Sequence, residues 1–404
     1  RWWRQTFRFV EWAWHDSGSV IVPAQTSAPH RAQLIAVMVA AFGALVGACA
    51  ARQVAAPQFE PVARGFPPLL TWLGEYTRPM GARYPSLPDS SLYGSISGLV
   101  RDGYNSEWVG VIDERENSRV VWLAVSLMDG QLSVTPSRLM ALRASRGVPE
   151  RLVTRADLEA ITMLPDGTFL MIEEGHVLEG EVWEPAILQM TRDGLVIATI
   201  RFPKKFQLRV DQRQGVRDNQ GFESLTRTPM GRLIAGLEQP LIEDGPLTSF
   251  DQGAPGLLVE FLQRGQKWVV GREWRYPLDP TPRVDGFESI CDGGENGLVE
   301  LLAISETELF SMERACLQRS GTSETANAIR IFNVELSSVG ARKTLLLDLS
   351  TLAPRLSPAL ERLDNFEALS FGPSLANGSS TLLVVSDDNF RATQKTSFLL
   401  FGLR

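Results

Sequence analysis

From Leu70 to the C-terminus the apolar positions fall into short runs of β-type residues, punctuated by Pro/Gly/Asp turns such as Pro165-Asp166-Gly167 and Pro229-Met230-Gly231. Runs such as Leu257 to Leu262 and Lys267 to Tyr276 complete a unit of roughly four antiparallel strands, the make-up of a propeller blade. No long amphipathic helix interrupts the series; the best helical stretch is Ser137 to Ser145, between two units.

The units repeat. Gly221-Phe-Glu-Ser224 recurs as Gly286-Phe-Glu-Ser289, and in weaker form as Leu158-Glu-Ala160 and Asn365-Phe-Glu-Ala368. Each copy is followed, after an apolar run, by a second acidic signal: Glu173 and Glu174, Glu238, Glu313 with Arg314, and Asp387 with Asp388. A divergent copy precedes them, Ser95-Ile-Ser-Gly98, leading to Asp113, Glu114 and Arg115. With Ser97 taken as the equivalent of the glutamates, the copies at 97, 159, 223, 288 and 367 lie 62, 64, 65 and 79 residues apart. This period and strand content predict one all-β propeller of four-stranded antiparallel blades, five in number, or six if one blade lacks the motif. The last unit ends one strand short, and Leu70 to Thr77 has the composition to supply the missing strand and close the ring.

In an antiparallel pair, the start of one strand and the end of the next share an edge. The geometry therefore predicts that Glu159, Glu174, Glu223, Glu238, Glu288, Glu313, Glu367, Asp387 and Asp388 gather near the mouth of the central channel. Two carboxylates about 4 Å apart repel by roughly 4 kcal/mol at an effective dielectric near 20, so the ring needs compensation. Arginines that accompany the motifs, a hard cation such as Ca²⁺, or protonation would each provide it. Arg115, Arg217 and Arg314 are the candidate contacts for an anionic substrate group.

Taken in order, Asp157-Leu-Glu159 with Glu173-Glu174, Asn219-Gln-Gly-Phe-Glu223 with Glu238, Glu313-Arg314, and Asn365-Phe-Glu367 with Ser386-Asp-Asp-Asn-Phe390 resemble the phytase-like family called "esterase-like activity of phytase". The resemblance runs from about Leu73 to Arg404. It implies a β-propeller, an extracytoplasmic setting and a phosphoester or ester hydrolase label, but transfers no catalytic residues. Ser97, where a Glu would complete the ring, departs from the pattern.

A net charge of -7 over 404 residues argues against a nucleic-acid surface and suits a cation or a basic partner. Residues 1–33 read as an atypical extension, 34–51 as a signal peptide, lipoprotein signal or membrane anchor, 52–68 as a linker and 69–404 as the propeller domain. Val46-Gly47-Ala48 before Cys49 has the form of a lipobox, which makes Cys49 the candidate lipidated residue and points to export and membrane association through the N-terminus. The other two cysteines, Cys291 and Cys316, are expected several residues out of register, so that a disulfide requires the loop to fold back. His176 is the sole histidine of the folded region, and no Gly-x-Ser-x-Gly elbow, zinc spacing or phosphate-cradling loop is present. Two functional classes follow: a cation-dependent hydrolase of phosphoesters or esters, and a non-catalytic binding propeller whose acids are structural ties.

Overall fold

The computed structural model describes residues 69–404 apart from 80, 81, 266 and 361; the extension, signal and linker segments and Cys49 lie outside the described residues. Five antiparallel blades are present. Blade 1 runs through Ile96–Asp102, Glu107–Ile112, Arg119–Met128 and Gln131–Ala141. Blade 2 comprises Leu158–Met163, Phe169–Glu173, Ala186–Met190 and Leu195–Arg201, with Arg143–Ala144 added in parallel at its outer edge. Blade 3 is Phe222–Arg227, Leu233–Leu237, Ala254–Arg264 and Lys267–Leu278. Blade 4 is Gly297–Ala303, Glu308–Gln318, Thr325–Leu336 and Ala341–Asp348. Blade 5 is Asn365–Phe371, Thr381–Asp387 and Ser397–Leu403, completed by Leu70–Thr77.

That last pairing closes the ring as the sequence predicts. Leu70 lies opposite Leu403 and Thr77 opposite Ser397, with one bulge between Trp72 and Gly74. Both ends of the propeller thus share one sheet, and Ser397–Leu403 is paired on both sides while Leu70–Thr77 forms the outer edge. The first strand of each blade is innermost, and these five strands pack on one another in sequence, the first against the last. Apolar side chains fill the wedges between blades: Phe202, Phe206, Phe222 and Phe261 cluster between blades 2 and 3, with the Phe202 and Phe222 rings stacked at 4.0 Å. Burying such a ring stabilises the fold by about 2–3 kcal/mol, so wedge packing carries the propeller.

The helical expectation for Ser137 to Ser145 is overturned. Gln131–Ala141 is the outer strand of blade 1, with Leu132, Val134 and Pro136 buried and Gln131, Ser133, Thr135 and Ser137 exposed. This period-two alternation decides the local structure, because it matches the pleat and a helix would scatter it. Among the described residues, no helix is long and apolar enough to cross a membrane.

Candidate functional site

Every innermost strand carries a register shift near its start, between Ile96 and Gly98, Leu158 and Ile161, Phe222 and Ser224, Leu298 and Glu300, and Phe366 and Ala368. A bulge inserts an unpaired residue and re-aims its side chain. The bulged positions include Ser97, Glu159, Glu223, Val299 and Glu367. At the same edge, the residue ending the second strand's pairing is Asp113, Glu174, Glu238, Arg314 and Asp387 in turn. Two five-position tiers thus form, holding seven acids and one arginine.

The seven acids and Arg314 line a cavity of about 1020 Å³ at the channel mouth, together with Arg115, Asn219, Arg362, Arg391 and Lys395. Glu159 and Glu223 are buried, yet neither makes a hydrogen bond or salt bridge among the described residues. Carboxylate oxygens of Glu159, Glu174 and Glu223 lie within 4.8 Å of one another, and the same holds for Asp113, Asp157 and Glu159. Glu159 belongs to both groups. Asp157 Oδ2 accepts from Arg115 Nε at 2.6 Å, while its Oδ1 is buried without a partner. Arg314 contacts Glu367 at 2.9 Å and Glu238 at 3.6 Å. Glu174 accepts from the Gly221 amide at 2.6 Å, and Asp387 from Ser95 Oγ at 2.7 Å.

Burial, with neighbouring carboxylates adding to it, pushes Glu159, Glu174, Glu223 and Asp387 well above the ordinary carboxylate range. Burial and the adjacent Asp113 push Asp157 up to about 8. Burial raises Glu238 to about 7 against the opposing pull of Arg314. Burial alone would lower Arg314, but Glu367, Glu238 and Glu223 together hold it above its usual value.

Four sequence-predicted residues stand elsewhere. Glu288 is exposed and accepts from the Ser320 amide at 3.2 Å, because Gly286-Phe-Glu-Ser289 precedes the inner strand of blade 4, which begins at Gly297. Glu313 sits one residue before the tier position and points between blades 3 and 4, bonded to Tyr276 Oη at 2.9 Å, to Asn296 Nδ2 at 2.7 Å and to Lys343. Asp388 cradles the entry to blade 1, accepting from Ser95 N at 2.9 Å and Thr396 Oγ1 at 2.6 Å. Arg217 donates to the carbonyls of Pro240 and Gly245 at 3.0 and 2.7 Å and does not line the cavity. Of the three anion candidates, Arg115 and Arg314 do line it.

Asp113 and Asp157 were missing from the predicted ring. The signal for Asp113 was the spacing: Glu159 to Glu174 and Glu223 to Glu238 are each 15 residues, and Ser97 to Asp113 is 16. The same spacing counted back from Arg314 reaches Val299, not Glu288. Asp157 carries no such signal, since it enters through its contact with Arg115.

Cys291 and Cys316 form a disulfide, against the expected register. Ser289–Ile290 is a short extra strand paired with the far end of Glu308–Gln318, Ser289 opposite Gln318 and Ile290 opposite Leu317, so that Cys291 falls opposite Cys316. This inserted segment contributes Cys291, Asp292, Gly293 and Gly294 to the rim of the mouth. His176 stacks on Trp183 at 4.8 Å, and burial lowers its pKa; it is a packed residue away from the cavity.

Among solved structures, the chain is similar to a β-xylosidase (9% identity, TM-score 0.38, covering 77% of this chain and 93% of that one). It is also similar to a GH43 β-1,3-galactosidase with galactodeoxynojirimycin (9%, 0.42, 77% and 91%). A third is the catalytic domain of a Coprinopsis cinerea GH62 α-L-arabinofuranosidase (12%, 0.38, 78% and 93%). No curated protein matches the chain. The family model described as phytase-like, esterase-like activity of phytase, matches residues 91–390, and with its motifs on the strands of this propeller the chain belongs to that family.

Proposed function

We propose that the channel mouth is the divalent-cation site of an extracytoplasmic hydrolase acting on phosphoesters or esters that carry an anionic group. The observation that carries this reading is that Glu159 and Glu223 are buried, unpaired and directed to a shared cavity, with Glu174 within reach of both. An all-oxygen donor set of this kind suits a hard cation, Ca²⁺ before any thiophilic metal. Glu159, Glu174 and Glu223 would hold it, with Asp113, Asp157 and Glu159 as a second, adjoining set; the unpartnered Asp157 Oδ1 fits that role. When bound, the cation would polarise a phosphoryl or carbonyl oxygen of the substrate.

The protein's own residues supply the rest. Arg314 keeps Glu238 and Glu367 in place and offers positive charge from inside the ring. Arg115, Arg362, Arg391 and Lys395 lend the rim the charge to orient an anionic group. Glu238, with a pKa of about 7, can accept or release a proton at neutral pH. The Cys291–Cys316 bond supports an oxidising compartment.

Hydrolysis of a panel of phosphomonoesters and carboxylic esters, with Ca²⁺ and with chelator, tests the proposal. Turnover that chelator abolishes and Glu223→Gln loses is the expected result. Cation binding without turnover on either class would instead favour the non-catalytic binding propeller, and turnover indifferent to chelator would remove the cation from the account.

A further inference from the structure

The face opposite the acidic mouth is built from the turns that follow the first and third strands of each blade, because alternate turns of an antiparallel blade lie on alternate faces. Large apolar side chains stand out at these turns, Tyr104, Met128, Met230 and Val339, and at the chain entry, Leu69; Met230 is 84% and Val339 95% exposed. A groove of about 950 Å³ runs between blades 2 and 3 and reaches this face at Asp166, Met230 and Lys267, walled by Ile200, Leu262 and Trp268. Arg227 and Lys267 line it at the turns of this face, and neither side chain makes an ion pair or hydrogen bond among the described residues; Arg201 lies at the mouth-side end of its strand, opposite Ala186, and acts on Glu184. The other charges there are already used: Asp166 accepts from Thr168, and Arg232 is paired with Glu260 and Glu306.

We infer that this face docks on a lipid bilayer, with the apolar turn tips entering the interface and an anionic lipid headgroup seated between Arg227 and Lys267. Unpaired cations beside protruding apolar residues are what an interfacial binder needs: the tips gain from leaving water, and the cations from the surface charge. The chain supplies the reason to choose a membrane over a soluble partner. It enters the propeller on this face at Leu69, and the sequence upstream has 18 residues without a charge, 34–51. A propeller so docked presents the acidic mouth to solvent. The inference does not depend on what the mouth binds.

Hydrogen exchange on the full chain, alone and with vesicles of phosphatidylcholine with or without phosphatidylglycerol, tests it. Slower exchange is expected at 227–232 and 264–268 and near Val339, strongest with phosphatidylglycerol, and unchanged exchange at the rim segments 291–294 and 389–395. The variant Arg227→Glu/Lys267→Glu should lose the phosphatidylglycerol dependence, weakening partition to those vesicles about thirtyfold or more, and Met230→Glu/Val339→Glu should lose protection on both vesicle types. Vesicle binding without protection of these turns, protection of the mouth instead, or no vesicle binding would overturn the inference. Equal protection by inorganic phosphate alone would also overturn it, by assigning the groove to a soluble anion.

Discussion

At the scale of single residues, the mouth holds more negative charge than its arginines neutralise. Carboxylates 4.8 Å apart, the outer limit for Glu159, Glu174 and Glu223, repel by about 3–4 kcal/mol at an effective dielectric near 20. Removing one should therefore relieve the cation-free protein and harm the loaded one. Glu159→Gln and Glu223→Gln are expected to raise the melting temperature in chelator, and to weaken Ca²⁺ binding by about a hundredfold on titration calorimetry, as loss of one ligand charge implies. Removal of the cationic member has the opposite sign. Arg314→Met leaves Glu238 and Glu367 buried without their partner and should cost about 3–5 kcal/mol in denaturant unfolding. The pH dependence follows from folded pKa values of about 8 for Asp157 and about 7 for Glu238, both above their unfolded values of about 4. The folded state binds more protons across that window, so the contribution of these two groups to cation-free stability is fully present only below about pH 4 and declines from there upward. It is lost as pH rises through 7 to 8. Saturating Ca²⁺ should flatten this slope, because binding displaces the same protons; denaturant midpoints at pH 5 and pH 8.5 check both statements.

Strands and bulges explain what the sequence disclosed and what it hid. Blade strands and closure were legible because apolar alternation and turn residues act locally, as in Pro165-Asp166-Gly167 and in the β-type run at Leu70–Thr77. Three of the four repeats of the glutamate tetrad were legible for the same reason: Glu159, Glu223 and Glu367 all occupy bulges. The fourth misled. Gly286-Phe-Glu-Ser289 matches Gly221-Phe-Glu-Ser224 letter for letter, yet the strand that packs in the ring is Gly297–Ala303, whose Leu298, Val299 and Leu301 bury against neighbouring blades. Burial, a non-local quantity, outweighs local identity there. Its acid is moved one place: Glu300 is buried and accepts from backbone amides of Leu225 and Leu369 in the flanking inner strands. The misplacement carries a contrast that can be measured. Glu288→Gln should leave Ca²⁺ affinity unchanged and stability within about 0.5 kcal/mol, as for an ordinary surface position. Glu313→Ala, which strips Tyr276, Asn296 and Lys343 of their shared acceptor, should cost about 3 kcal/mol or more without needing the cation to reveal it.

For the molecule as a whole, the closed ring is what allows so unfavourable a mouth. Five wedges of buried apolar side chains and a blade shared by both ends of the propeller hold the inner strands rigidly enough to keep seven acids together. Charge concentrated against such a scaffold can be relieved by a cation that enters, since the strands cannot spread to separate the acids. The most direct test is thermal unfolding of chelator-stripped protein at pH 8 across a Ca²⁺ series, in the wild type and in Glu159→Gln/Glu223→Gln. The account predicts a melting temperature that rises with Ca²⁺ in the wild type, following the linkage law for a site present only in the folded state, and that stays flat in the double variant. A wild-type melting temperature indifferent to Ca²⁺ and to chelator would contradict it, and would leave the acids of the mouth as protonated structural groups.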